Sequence, residues 1–184
     1  DLNENKNSNN KFIIISHIPA GISAASSKRL NSPTSFWRNN SFETKYLNLL
    51  NNNANSMAGI FLGHTHEDIF QIINKHSELA SSTTPSLTSS RQDARFRIFK
   101  LDKNNVLVDS ILYSFNPSNN IWREESFSTS YPQAKNIFQV YMEQLNKMMK
   151  NTSALQNKKE EICAASSGMT SATYTTCLNN LKSN

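Results

Sequence analysis

Glycine is scarce in this chain. Only four occur among its 184 residues, at positions 21, 59, 63 and 168, and two of the four fall within 59–63. Glycine permits close backbone approach, so that stretch stands out. Long apolar runs are missing as well. The longest is Phe12-Ile13-Ile14-Ile15, far short of the roughly 20 residues that a membrane-spanning helix needs. No secretory leader is visible in the polar, Asn-rich residues 1–10. They read as a loop interior or a trimmed end, and say nothing for or against export.

Clustered charge is also lacking. The net charge is +5, but the basic residues stand singly or in pairs such as Lys28-Arg29 and Lys158-Lys159. A nucleic-acid polymer is recognised by a basic stripe, so that class of partner is not expected. Cysteine is limited to Cys163 and Cys177. Two cysteines in a polar helical tail are consistent with a disulfide or with two free thiols. Hydrophobic residues make up 37% and charged residues 18%. That is polar for a globular chain, yet too apolar and too weakly charged for wholesale disorder.

Asparagine and serine are plentiful, 26 of each, which predicts many loops and turns. The pattern along the chain predicts an α/β fold, with strands first and helices last. Residues 12–15 read as a buried strand and 18–40 as a long irregular loop. A helix is expected at 43–50, with Tyr46, Leu47 and Leu50 on one side. Strands are expected at 57–62 and 69–73, and a Ser/Thr-rich loop at 79–90. Residues 94–101 and 106–115 alternate around the turn signal Asp102-Lys103-Asn104-Asn105, which predicts a β-hairpin. From 133 the period becomes helical, with Ile137, Tyr141, Leu145 and Met148 on one stripe. Two further helices, about 156–165 and 170–182, would carry the cysteines. The expected organisation is a polar leader at 1–10, a β-rich part at 11–125 and a helical part at 126–184.

Of four histidines, three follow predicted strands: His17, His64 and His66. Strand ends hold side chains rigidly, and imidazole is a ligand for zinc-like metals. In extended backbone, residues two apart point to one side. His64 and His66 are therefore expected to share a face, with His17 converging from a neighbouring strand. Singly, a histidine after a strand is more often an ordinary hydrogen-bonded residue; two such sites beside Gly63 bring the metal reading level with it. His76, between Lys75 and Ser77, reads as plain surface.

Ser16-His17-Ile18-Pro19 with Gly21 resembles the Ala-His-(Ile/Val)-Pro-x-Gly segment of acid sphingomyelinase-like phosphodiesterases. Met57-Ala58-Gly59-Ile60-Phe61-Leu62-Gly63-His64-Thr65-His66-Glu67-Asp68 resembles their Ala-Gly-x-Phe-x-Gly-His-Thr-His-x-Asp segment. The Gly-His-Thr-His core alone marks the wider calcineurin-like metallophosphoesterase superfamily. The likeness is looser at residues 94–99 and around the two cysteines.

The resemblance implies part of a metallophosphoesterase β-sandwich flanked by helices, followed by a helical C-terminal subdomain. It implies two divalent metal ions, zinc foremost, with His17 and His64 on one and His66 on the other. It implies a phosphodiester substrate, either a sphingomyelin-like lipid or a nucleotide-like small ester. It also implies a Cys163–Cys177 disulfide, and with it a secreted or otherwise oxidising location such as an extracellular, periplasmic or lysosome-like one. Asp68 or Glu67 is a candidate to orient a ligand from behind, with a solvated loop acid the first expectation. Phe36-Trp37 is a candidate for membrane-surface contact, with internal packing the first expectation.

The departure from the family is as informative. Its Asp-x-His, Gly-Asp-x-x-Asp and Gly-Asn-His motifs do not occur: no Asp stands two before a His, and no Gly precedes Asp or Asn. The bridging carboxylate, the Asn ligand and the general acid are expected from an N-terminal half of the same enzyme, on the same or a cleaved chain. No catalytic residue is assigned here, and the segment alone is expected to be inactive. The rival expectation is a non-enzymatic binding or structural domain derived from that fold.

Overall fold

The computed structural model describes residues 10–38, 40–83, 94–167 and 170–182. Most of the polar leader and of the Ser/Thr-rich 79–90 segment lies outside the described residues. The described residues form a mixed α/β structure with two sheets and six helices.

The first sheet contains β1 (Phe12–Ile15), β2 (Met57–Leu62), β3 (Phe70–Asn74) and β4 (Leu79–Thr83), in the order β1-β2-β4-β3. β1 runs parallel to β2 and β2 parallel to β4, while β3 is antiparallel to β4. Parallel neighbours put the C-terminal ends of β1 and β2 side by side. The strand at Leu79–Thr83 corrects the expectation of a loop there. Leu79-Ala80-Ser81-Ser82-Thr83 reads as loop on composition, but its place between β2 and β3 outweighs that weak local preference.

The second sheet is an antiparallel meander of β5 (Ala94–Leu101), β6 (Leu107–Asn116) and β7 (Ile121–Ser126). Its first turn is built by Asp102, whose Oδ1 accepts from the N–H groups of Asn104 (2.8 Å) and Val106 (2.9 Å), with Asn105 at φ 59°. The two sheets touch where Phe61 of β2 stacks on Phe99 of β5, ring centroids 4.0 Å apart.

The helices are α1 (Ala24–Leu30), α2 (Asn40–Asn52), α3 (Phe127–Ser130), α4 (Ile137–Lys150), α5 (Thr152–Ser167) and α6 (Ser171–Lys182). Leu50 of α2 is buried with Ala54, Met57, Ile60, Leu62 and Leu79 beneath the first sheet. α4 starts at Asn136, whose side chain accepts from Gln139 N–H at 2.9 Å, a capping bond of the kind worth about 1 kcal/mol. Its stripe Ile137, Tyr141 and Leu145 is buried with Ile72 and Ile162, and Phe70 stacks on Tyr141 at 4.3 Å. α5 bends at Lys158, where the backbone leaves helical geometry. A disulfide joins Cys163 of α5 to Cys177 of α6, with Cα atoms 5.7 Å apart. It is compatible with an oxidising compartment. Among the described residues no helix is long and apolar enough to cross a membrane.

Candidate metal centre

The site begins where β1 and β2 end. Pairing continues past the strands: Ser16 N–H donates to Phe61 C=O (3.1 Å) and Gly63 N–H donates to His17 C=O (3.0 Å). That places His17 beside Gly63 and His64. A Cβ at position 63 would lie 3.3 Å from His17 Nδ1, so glycine there lets the imidazole rest close to the neighbouring backbone. The rings of His17 and His64 have centroids 5.3 Å apart and cross at 83°. Two imidazoles held at about 2.0–2.1 Å by one tetrahedral ion have centroids about 5 Å apart. The separation of the two rings is close to that value.

The third histidine behaves differently. His64 and His66 have φ of 69° and 56°, left-handed values rather than extended ones. Thr65 N–H donates back to Gly63 C=O at 2.8 Å, so the backbone curls through Gly63-His64-Thr65-His66. The expected alternation that would place the rings of 64 and 66 on one side is not followed. The structure brings His17 and His64 together. Among the described residues, no group of three His, Cys, Asp or Glu side chains is gathered in a way that could hold a metal ion. Left-handed backbone at a non-glycine residue costs of order 1–3 kcal/mol and tends to cluster at functional sites. His76 is exposed on a turn, as expected of a surface residue.

Asp68 pairs with Arg97 of β5 rather than with a histidine. The Arg97 side chain is fully buried; it also donates to Ser110 Oγ at 2.7 Å and lies over the Phe127 ring. Burial pushes the Asp68 carboxyl above its ordinary pKa, with Arg97 pulling partly the other way. The pair ties the segment after His66 to the second sheet.

One residue at this site escapes a reading of the sequence. Glu43 of α2 is buried and clamps the long loop after His17: its carboxylate accepts from Gly21 N–H (2.7 Å) and from the Ser35 hydroxyl (2.6 Å). Between these points Ser23 N–H bonds Thr34 C=O and Phe36 N–H bonds Gly21 C=O, at 2.8 and 3.0 Å. The loop is thus a tied hairpin carrying α1. It delivers Phe36 against His64, ring centroids 6.4 Å apart. Trp37 stacks on Tyr46 at 5.1 Å, so both aromatics of the Phe36-Trp37 pair are engaged within the molecule. A lone Glu at a helix start gives no signal of a 22-residue reach to Gly21. No protein-family model matches the chain, and comparison with curated proteins finds no match.

Proposed function

We propose that this chain is part of a dinuclear-metal phosphodiesterase, supplying histidine ligands to a site that an N-terminal half completes. The observation that carries this reading is the 5.3 Å approach of His17 and His64 at the ends of adjacent parallel strands. It is supported by the resemblance of residues 16–21 and 57–68 to acid sphingomyelinase-like enzymes. The sheet edge supports it too: among the described residues β1 is an edge strand, and Ile13 and Ile15 on it are exposed. An apolar free edge is ordinarily covered, and further strands of a β-sandwich would cover it.

His17 and His64 would hold one ion, and His66 the other once the missing ligands fix its loop. Two such ions polarise a phosphoryl oxygen and lower the pKa of bound water. The residues of this chain do none of the proton transfer; they orient and hold. The substrate class on this reading is a phosphodiester, lipid-linked or nucleotide-like, and the compartment is secreted or otherwise oxidising.

Zinc titration of the 184-residue chain, followed by calorimetry, tests the reading. Weak binding is expected, and His17→Ala or His64→Ala should remove it. Joined to its N-terminal half, the protein should hydrolyse a generic aryl phosphodiester, and His64→Ala or His66→Ala should abolish turnover. Loss of a direct ligand should exceed the 10–100-fold typical of an outer partner. Near-normal turnover in the double variant would rule the enzyme out. A second reading, a non-enzymatic binding domain, is favoured by the absence of a gathered third ligand among the described residues. It requires that neither zinc titration nor the joined protein show any dependence on these histidines.

A further inference from the structure

Asparagine is abundant in this chain, but it accepts an N-linked glycan only within Asn-x-Ser/Thr, where x is not proline. Of the 26 asparagines, Asn39, Asn116 and Asn151 have Ser or Thr two positions on. Asn116 is followed by Pro117, which excludes it. Asn39 lies outside the described residues. Asn151, in Asn151-Thr152-Ser153, is the acceptor whose position the structure describes.

A glycan is bulky and solubilising, so its acceptor must stand at the surface. Asn151 is exposed, and it alone separates α4, which ends at Lys150, from α5, which begins at Thr152. Its backbone is extended, with φ −90° and ψ 104°, and its N–H donates to Lys147 C=O at 3.2 Å. It thus sits at a corner of the chain and not on a packed helix face. The sheet order matters as well. Ile137, Tyr141 and Leu145 of α4 and Ile162 of α5 are buried with Ile72 of β3, and β3 is the edge of the first sheet opposite β1. An N-terminal half that covers β1 therefore adds its strands at the edge far from these helices. The Cys163–Cys177 disulfide is a separate pointer. Disulfides form in oxidising lumens such as that of the endoplasmic reticulum, and Asn-x-Ser/Thr acceptors belong to proteins on the same secretory route.

We propose that Asn151 carries an N-linked glycan. The donor class is an oligosaccharide joined through a diphosphate to a lipid. Asn151 Nδ2 forms a bond to the anomeric carbon of the first sugar as the bond from that carbon to the diphosphate oxygen breaks. The electron pair leaves with the lipid diphosphate, and the amide gives up one proton. The inference shares with the proposed function its oxidising compartment, and does not depend on the phosphodiesterase activity.

The test uses the chain expressed through the secretory pathway of a eukaryotic cell. The denatured chain is treated with peptide N-glycosidase in ¹⁸O water, which converts a glycan-bearing Asn to ¹⁸O-labelled Asp. Trypsin then releases residues 151–158 for mass spectrometry. Asn151 should carry the label, while Asn157, in the same peptide but outside any acceptor triplet, should remain Asn. Ser153→Ala should abolish the label at 151. Ser41→Ala, which removes only the triplet at Asn39, should leave it in place. An unlabelled Asn151 in the unaltered chain overturns the proposal, whatever the variants do, and so does label that persists at 151 in Ser153→Ala. The cysteines are read from an unreduced sample of the same chain. Free thiols there would overturn the oxidising location, whereas a formed disulfide beside a bare Asn151 would overturn the glycan alone.

Discussion

The two ends of this molecule are held in opposite ways. Around α5 and α6, Ile162, Cys163 and Tyr174 are all but inaccessible to solvent, and a disulfide closes the contact. Around the ends of β1 and β2, His17, His64 and His66 are exposed, two of them with left-handed backbone, and polar contacts fix the loops. Apolar burial stabilises in proportion to area, whatever the detailed geometry. Hydrogen bonds such as the Glu43 clamp contribute less net energy but set positions to a few tenths of an ångström. The helical end thus supplies stability, while the strand ends supply placement.

The largest break of this contrast should come from the disulfide. Cys163 and Cys177 are 14 residues apart in sequence, and a loop of that length is worth roughly 3 kcal/mol on the chain-entropy model. Replacing both by Ala should lower stability by about that amount in urea titration. Zinc affinity at native pH should remain unchanged, because the histidines lie on other elements. A loss of zinc binding from the still-folded variant would show that the two ends are not separable.

Glu43 tests the other side. Glu43→Ala would leave Gly21 N–H and the Ser35 hydroxyl without their acceptor. Leaving such buried groups unsatisfied costs about 1–3 kcal/mol. Glu43→Gln keeps an oxygen for Gly21 and should cost less. Unlike the disulfide variant, Glu43→Ala should also weaken zinc, since it frees the loop that follows His17. Equal zinc affinity in the Ala, Gln and unaltered chains would remove Glu43 from the site.

What the sequence made legible follows the same division. Periodicity located α4, since Ile137, Tyr141 and Leu145 repeat at helical spacing and are all buried. Alternation located the β5–β6 hairpin, and Asp102 with Asn105 marked its turn. The strand β4 was hidden because Ser81, Ser82 and Thr83 carry no apolar signal, although β4 lies between β2 and β3 in the sheet. At the site, the strand-end positions predicted that His17 and His64 lie near one another. The curl through Gly63-His64-Thr65-His66 was not readable, because it depends on φ values that histidine rarely adopts. The contacts of Glu43 and of Asp68 with Arg97 span 22 and 29 residues, and no local pattern encodes such a reach.

The finest distinction is one of proton binding. Asp109 on β6 is buried and accepts from the N–H groups of Ser110 (2.8 Å) and Ser128 (3.0 Å), and from the hydroxyls of Ser126 and Ser128. Burial alone would raise its pKa, but these donors outweigh it and the carboxyl sits below its ordinary value. Its folded pKa is thus depressed relative to the unfolded chain, whose Asp titrates near about 3.9. The resulting stability is fully present above about pH 4 and is lost as pH falls through the folded value. Asp68 has the opposite shift; its contribution is lost as pH rises from the unfolded value through the folded one. Asp109→Asn should therefore lower the urea midpoint at pH 7, with a gap that shrinks below about pH 4. Asp68→Asn, measured alongside, should show no such narrowing toward acid. A gap for Asp109→Asn that stayed constant down to pH 3 would mean that its charge adds nothing to the helix–sheet junction at Ser126 and Ser128.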